Sequence, residues 1–461
     1  MSQVSQISAP FAELNSKTKI IDDLLGGTRT MRAAGKAYLY QMELEEDGAY
    51  KNRLSRSTLY PALSETLSQM CGRVFFEPIN IESVNERIQT EIIPDVDMEG
   101  NHLDVFASQW FYAGLAYGVS FVLVDYTQIT DVRTLADEKA QGARPYLIHI
   151  KPQQVLGVKV EKINGKKQIT QFRYVEHITV DDGQFDTKTA KRICVYEIGK
   201  VSKYDDIDGT FTLKEDIELK AQGKPLQYVP VVPFVTKKGH GDLDYEPPLL
   251  ELAYLNIKHW QSQSDQDNIL NVARVPLLGI FSDTDISKLS IGGSAIQLPK
   301  ESTMQYIEHS GNAISAGQDS LKELEEQMKV AGAKLLTKTV LSMTDSQAKD
   351  EQGKEISQLC HYANKFEDAL DLALEYVGDW LGIEKGKSGN VEITGNIDGD
   401  LDPNASMDTV IKLQAAGTLS KQTTFAEAKR RGLLSDEIKW EDEQARLDAE
   451  GLNNDFTTDD E

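Results

Sequence analysis

Positive charge is in short supply in this sequence. Its 461 residues carry 49 Lys and Arg against 73 Asp and Glu, a formal net charge of −24. Proteins that grip nucleic acid neutralise phosphates with Lys and Arg, so this balance argues against ordinary DNA binding. It leaves room for a surface past which DNA slides without sticking. Cysteine is scarce too. Cys71, Cys194 and Cys360 are far apart and odd in number, which argues against a disulfide framework and points to a reducing, intracellular setting with three small buried apolar side chains. No window holds 18 uncharged apolar residues, so no helix is expected to span a bilayer. The opening MSQVSQISAPFAELNSKTK has no basic segment followed by an apolar run, unlike a secretory signal.

Motifs of local chemistry are absent as well. No G-x-x-x-x-G-K-[ST] phosphate loop exists; Gly35-Lys36 is the nearest approach, with Thr30 and Ala37 at the other key positions. Neither H-E-x-x-H nor C-x-x-C occurs, which removes zinc sites of local spacing. Asp95, Asp97, Glu99 and Gly100 imitate the first half of a calcium loop, but Phe106 stands where the bidentate Glu belongs. Asp398, Asp400 and Asp402 alternate correctly, yet Pro403 replaces the turn glycine. His177 and His259 flank apolar residues and read as structural histidines. The composition supports no metal, no cofactor and no catalytic residue.

What is present is a two-part pattern. Hydrophobic residues make up 40%, enough for a real core. A short helix is expected over Thr18–Leu25, stopped by Gly26-Gly27. Residues 49–73 read as an amphipathic helix with Leu54, Leu59, Leu63, Leu67 and Met70 on one side, kinked or split by Pro61. A short strand over Val74–Phe76, an acidic loop over Ile93–Gly100 and a helix over His102–Tyr117 follow. Ser120–Tyr126 has the β-branched, apolar character of a buried strand. From 145 to 236 strands dominate: Tyr146–Ile150, Gly157–Val160, Gln171–His177, Ile193–Ile198 and Val229–Val235.

Pro247-Pro248 then opens a long helix running to Val272. Three short strands, Pro276–Phe281, Ala295–Leu298 and Met304–Glu308, separate it from a second long helix over Ala313–Leu336. In that helix Ile314, Gly317, Leu321, Leu324, Met328, Ala331 and Leu335 recur at alternating spacings of three and four, a heptad seam. Such a seam serves either one amphipathic helix on its own domain or a helix packed lengthwise on another. The obvious partner is the 248–272 helix, giving an antiparallel stalk with a β tip. Thr337–Ser346 breaks the pattern, Gln347–Ile383 is helical again, and Asn390–Thr394 reads as a strand. Residues 405–417 and 422–432 form a helical hairpin stopped by Gly417 and Gly432. The last 21 residues carry nine acids against one Arg, a solvated tail. No repeat of 20–50 residues is visible.

Four segments in order resemble the portal proteins (head-to-tail connectors) of tailed bacteriophages, in particular an acidic branch of that family. They are YKNRLSRSTLYPALSETLSQMCGRVF (50–75), DMEGNHLDVFASQWFYAGLAYGVSFVLVDY (97–126), PPLLELAYLNIKHWQSQSDQDNILNVARVPLLGIF (247–281) and AAGTLSKQTTFAEAKRRGLLSDE (415–437). The resemblance implies an α+β portal fold: a wing, a two-helix stem, a small β/α clip inserted between the stem helices, and a helical C-terminal crown. Mapped here, 1–47 is an N-terminal arm, 48–245 the first part of the wing, 246–272 the first stem helix and 273–312 the clip. Residues 313–336 are the second stem helix, 337–346 a tunnel loop, 347–400 the rest of the wing, and 401–461 the crown with its acidic tail.

The resemblance also implies a function. Twelve copies would form a ring at one capsid vertex, assembled in the host cytoplasm, through which double-stranded DNA enters and leaves non-specifically. Implied partners are the large terminase subunit, a head–tail adaptor protein, the major capsid protein and scaffold, with no membrane. Twelve copies at −24 give about −290, a field that repels phosphate. Lys329, Lys334 and Lys338 are the candidates to guide DNA, against the plainer reading of a solvated helix face. Thr337, Thr339, Ser342, Thr344 and Asp345 fall in the tunnel loop, and Ile314, Leu321, Leu324, Met328 and Leu335 form the stem seam. Two other classes remain open: another ring-type virion adaptor, and an acidic α+β enzyme whose polar cluster converges in a cleft.

Overall fold

A computed structural model describes residues 3–127, 142–183, 185–207, 209–273, 277–281, 303–307, 312–336, 338–339, 356–395, 403–430, 433–435 and 438–449. The fold is α+β. Helix α1 (Ala9–Leu25), with Pro10 in its first turn, begins well before the expected Thr18 and buries Phe11, Leu14, Ile21 and Leu24. A second helix, α2 (Gly27–Ala34), follows directly. The 49–73 pattern is split at Pro61, as expected, into α3 (Asp47–Arg56) and α4 (Ala62–Val74). The strand expected over Val74–Phe76 does not form. Val74 is buried as the last residue of α4, and the Phe75 amide still donates to Cys71 O (2.9 Å). Its apolar run is the end of a helix face. Strand β1 (Asn80–Glu82) comes next.

Helix α5 (Leu103–Tyr117) buries ten of its residues, among them Phe106, Trp110 and Phe111. Strands β2 (Val119–Tyr126) and β3 (Pro145–Ile150) follow it. Five further strands form an antiparallel meander: β4 (Val155–Ile163), β5 (Lys166–Asp181), β6 (Thr187–Glu197), β7 (Lys200–Ile207) and β8 (Thr210–Glu218). Asn164 (φ 51°) and Gly165 (φ 83°) make its first hairpin, since a two-residue turn that matches strand twist needs positive φ at both positions. Strands β7 and β8 went unread in the sequence. Their charged residues alternate with few apolar ones because much of this hairpin faces solvent. A small ribbon, β9 (Lys220–Ala221) and β10 (Lys224–Pro225), leads to β11 (Val231–Val235).

Strands β11, β2 and β3 form an antiparallel sheet with β2 in the middle, buried on both faces. Phe234 lies opposite Ser120, so the two share a face. There Phe234 meets Trp110, Phe111 and Phe366 at ring distances of 6.4, 5.3 and 4.9 Å. Phe121 points the other way and meets Phe11 and Phe172 at 6.1 and 5.2 Å. The N-terminal helix is thereby part of the main core.

The long elements come next. They are α6 (Leu250–Ala273), the paired strands β12 (Leu277–Phe281) and β13 (Thr303–Ile307), and α7 (Asn312–Ala333), which a short 3-10 turn, Lys334–Leu336, extends. The middle strand expected at Ala295–Leu298 lies outside the described residues. Strand β14 (Lys338–Thr339) pairs with β15 (Ile356–Ser357), and α8 (Gln358–Leu381) follows. The helix expected from Gln347 therefore starts later. Ser357 is its N-cap, its hydroxyl accepting from the Cys360 amide (3.1 Å), and Ile356 and Ser357 are extended. Strand β16 (Asn390–Glu392) pairs with β1 across more than 300 residues of sequence. Helices α9 (Pro403–Ala415) and α10 (Lys421–Arg430) form the expected hairpin. An unexpected α11 (Trp440–Ala449) rests Trp440 on Phe425 (5.5 Å).

Candidate functional site

The paired long helices are the feature the sequence singled out, and their geometry is antiparallel. Gln266 of α6 donates through Nε2 to Ile314 O of α7 (2.9 Å). One turn pair further along, His259 Nε2 stands 3.6 Å from Glu325 Oε1. Beyond that, Leu252 and Ala331 line one cleft. As the α6 position falls from 266 through 259 to 252, the α7 position rises from 314 through 325 to 331, the mark of two helices running side by side in opposite directions. At Gly317 an added Cβ would lie 2.1 Å from Gln266 Oε1; the backbones approach there because no side chain intervenes.

The heptad reading of α7 holds in its centre. Leu321, Leu324, Met328 and Leu335 are buried, whereas Ile314 and Gly317 are half-buried. Helix α6 shows no comparable stripe, and the reason lies in what surrounds it. Several of its buried positions are polar and have partners. Asn256 accepts from the Leu63 amide (3.2 Å) and donates to Tyr60 O (2.9 Å), so it closes the start of α4 from outside. Gln261 donates to Tyr38 O (2.8 Å), and Ser264 meets Ser57, hydroxyl to hydroxyl, at 2.8 Å. These ties lash the 38–63 segment to α6. Nothing in the sequence marked them beyond the polar character of the helix's second half.

Arg53 is the strongest tie. Its side chain is 3% exposed. Its guanidinium donates to both Glu45 oxygens (2.8 and 2.7 Å), to Tyr40 O (2.7 Å) and to Asp265 of α6 (3.2 Å). The Arg53 hydrogen bonds hold the Glu45 carboxyl below the ordinary carboxylate range, whereas burial pushes Asp265 up. His259 is buried against the Tyr60 ring (5.1 Å), and burial lowers its pKa against the opposing pull of Glu325.

Lys329 and Lys334 do not share a surface. Lys329 pairs with Glu326 on its own helix (2.6 Å). Lys334, five residues on, is turned by about 140° around a helical axis and rims the cleft floored by Leu249, Leu252 and Leu335. Lys338 is in β14. Of the tunnel-loop residues, Thr339 is in β14, and Thr337, Ser342, Thr344 and Asp345 lie outside the described residues, as do Asp398, Asp400 and Asp402.

The remaining chemistry is self-contained. In the 95–101 loop Asp95 takes Arg144 (2.7 Å) and the Gly100 amide, while Asp97 takes the Glu99 and Asn101 amides. No cluster of metal-ligating side chains occurs among the described residues. Cys71 and Cys194 are buried and free, and Cys360 is half-buried. His177 is exposed on β5 rather than structural. Ser120 Oγ meets His149 Nε2 at 2.7 Å, which joins a fully buried serine to a ring lying edge-on to Phe106. Among the described residues no helix is long and apolar enough to cross a membrane.

His149 makes a pH prediction. Burial, aided by the charge of Lys151, lowers its pKa from 6.5 to about 4. The unfolded chain therefore takes up the proton first, and stability is lost as pH falls from 6.5 toward 4. The loss should reach roughly 2–3 kcal/mol. His149→Gln should flatten this segment of the pH–stability curve in urea titrations; an unchanged slope would show that His149 is not its source.

A family profile described as "Domain of unknown function (DUF4055)" matches residues 248–381, the span from the start of α6 to the end of α8. No curated protein matches the chain. Among solved structures the chain is similar to one of "Virion of native gene transfer agent (GTA) particle", at 10% identity and a TM-score of 0.42, covering 87% of this chain and 98% of that one. It is also similar to chains of "Neck of empty GTA particle computed with C6 symmetry" (10%, TM-score 0.39, 89% and 98% covered). A third is "Neck of native GTA particle computed with C12 symmetry" (10%, TM-score 0.38, 86% and 97% covered).

Proposed function

We propose that this chain is a portal-type subunit of a tailed-virus-like particle, a ring-forming structural protein that surrounds a DNA passage and catalyses nothing. The observation that carries the reading is the antiparallel pair α6–α7, with β12–β13 joining the end where α6 stops and α7 starts. In this reading the pair is the stem, the β excursion the clip, the sheets with α5 and α8 the wing, and α9–α11 the crown. Residues 337–346 reach the passage. The ring has twelve copies at a capsid vertex, receives the large terminase subunit and later a head–tail adaptor at the clip, and contacts the capsid protein through the wing.

Charge supports a passage more than a grip. At −24 per chain, DNA meets repulsion over most of the surface and is not held by counterion release. Energy for packaging then comes from a partner. The test is the mass of the purified protein by light scattering with negative-stain images. The 51.4 kDa chain as a dodecamer weighs about 620 kDa and shows a central hole. A monodisperse monomer at every concentration, alone and with capsid proteins, would overturn the reading.

A further inference from the structure

One loop displays apolar side chains to solvent. Tyr40, Met42 and Leu44 are 68%, 53% and 96% exposed, alternating with Gln41, Glu43 and Glu45. The loop is held in shape. Gln41 Nε2 donates to Glu45 O (2.7 Å) and Asp47 Oδ1 (3.0 Å), the Met42 amide donates to Glu45 Oε2 (3.2 Å), and buried Arg53 clamps Tyr40 O. Three large apolar side chains kept in water on a loop held by a buried ion pair mark an interaction surface.

A counterpart exists elsewhere on the same chain. The cleft of about 310 Å³ between α6, the 334–336 turn and the start of α8 has an apolar floor, with Lys334 on one rim and Glu251 on the other. Val330, 63% exposed, precedes Lys334 by one turn on the same stripe of α7. The loop's flanks are acidic, with Glu43, Glu46 and Asp47, and so complement Lys334.

The two features face opposite ways. Leu252, in the cleft floor, and Gln261, which holds Tyr38 beside the loop, are nine residues apart on α6. That spacing is about 180° around a helix and about 14 Å along it. The loop therefore meets the cleft of a neighbour instead of its own.

We propose that the Tyr40–Met42–Leu44 loop of one copy seats in the Lys334-rimmed cleft of the next, a head-to-tail contact that closes the ring. The proposal rests on the ring reading above and adds which surfaces build the ring. Such a contact joins two different patches and closes when its rotation divides a circle. Closure requires loop and cleft to stand at one height, so α6 is inclined to the ring axis.

The test mixes two variants of the full chain, Leu44→Cys and Val330→Cys, each carrying Cys360→Ser to remove the half-buried thiol near the cleft, and treats the assembled ring with a short bis-maleimide. A product of dimer mass is expected from the mixture and not from either variant alone. Lys334→Glu should weaken assembly by about tenfold, since it sets like charges against each other at the contact, and Glu43→Lys in the same chain should restore it. Rings that form but give no mixed product, or give it equally from one variant alone, overturn the contact and leave the ring standing. Full assembly of Lys334→Glu would also overturn it. A wild-type chain that never assembles removes the ring reading, and the contact with it.

Discussion

Arg53→Met should lower the unfolding free energy by about 3–5 kcal/mol, because removing one partner of a buried ion pair leaves the other charge stranded. Methionine fills much of the volume but donates nothing. Glu45, whose side chain is 10% exposed, then keeps a carboxylate without its bidentate partner, and the Tyr40 carbonyl loses its donor. Asp265 suffers less, since its side chain is 45% exposed and water replaces the bond. Urea unfolding measures the loss, and the double variant Arg53→Met/Glu45→Leu should recover much of it, as apolar replacement of a whole buried pair often does. A single-variant loss under about 1 kcal/mol would mean that water reaches Glu45 and the tie is cosmetic. The same variant should release the 40–46 loop from α6, so ring assembly should fall more steeply than stability.

Gly118→Val should cost about 4 kcal/mol or more, from backbone strain and overpacking together. Gly118 ends α5 at φ +84°, a region that a β-branched side chain resists. An added Cβ would lie 2.7 Å from the Glu246 carbonyl carbon and oxygen, which are backbone atoms without a rotamer to swing aside. The Gly118 carbonyl also accepts from the Thr236 amide (3.0 Å) and hydroxyl (3.1 Å). The residue thus joins α5, β11 and the approach to α6 at one point. Gly118→Ala, with the same contact but a smaller side chain, should lose roughly half as much. Thermal melts of the three proteins give the order; equal melting of Gly118→Val and the parent would show that the 246–247 backbone gives way without cost.

Elements with strong local signals were legible. The buried strand at 119–126, the helix before it, the break at Pro61 and the two long helices follow from period, β-branching and Pro/Gly punctuation. The α7 seam was readable because Leu321, Leu324, Met328 and Leu335 all bury on one side. Elements whose apolar content is shared with distant partners were not. Strands β7 and β8 are half in water, Val74–Phe76 reads equally as strand or helix end, and α6 buries polar side chains that periodicity scores as solvent-facing. Lys329 and Lys334 look alike in sequence and differ in what lies beside them, Glu326 for one and an apolar cleft for the other.

What the chain's order of residues settles is therefore its architecture class, its long-helix pair and its charge. These follow from local periodicity and from counting, which need no knowledge of neighbours. The tertiary structure decides the register of α6 on α7, the lashing of residues 38–63 to α6 through Asn256, Gln261, Ser264 and Asp265, and the opposite facing of the Tyr40 loop and the Lys334 cleft. Each depends on groups at least 48 residues apart in the chain, and only the packed chain brings them together.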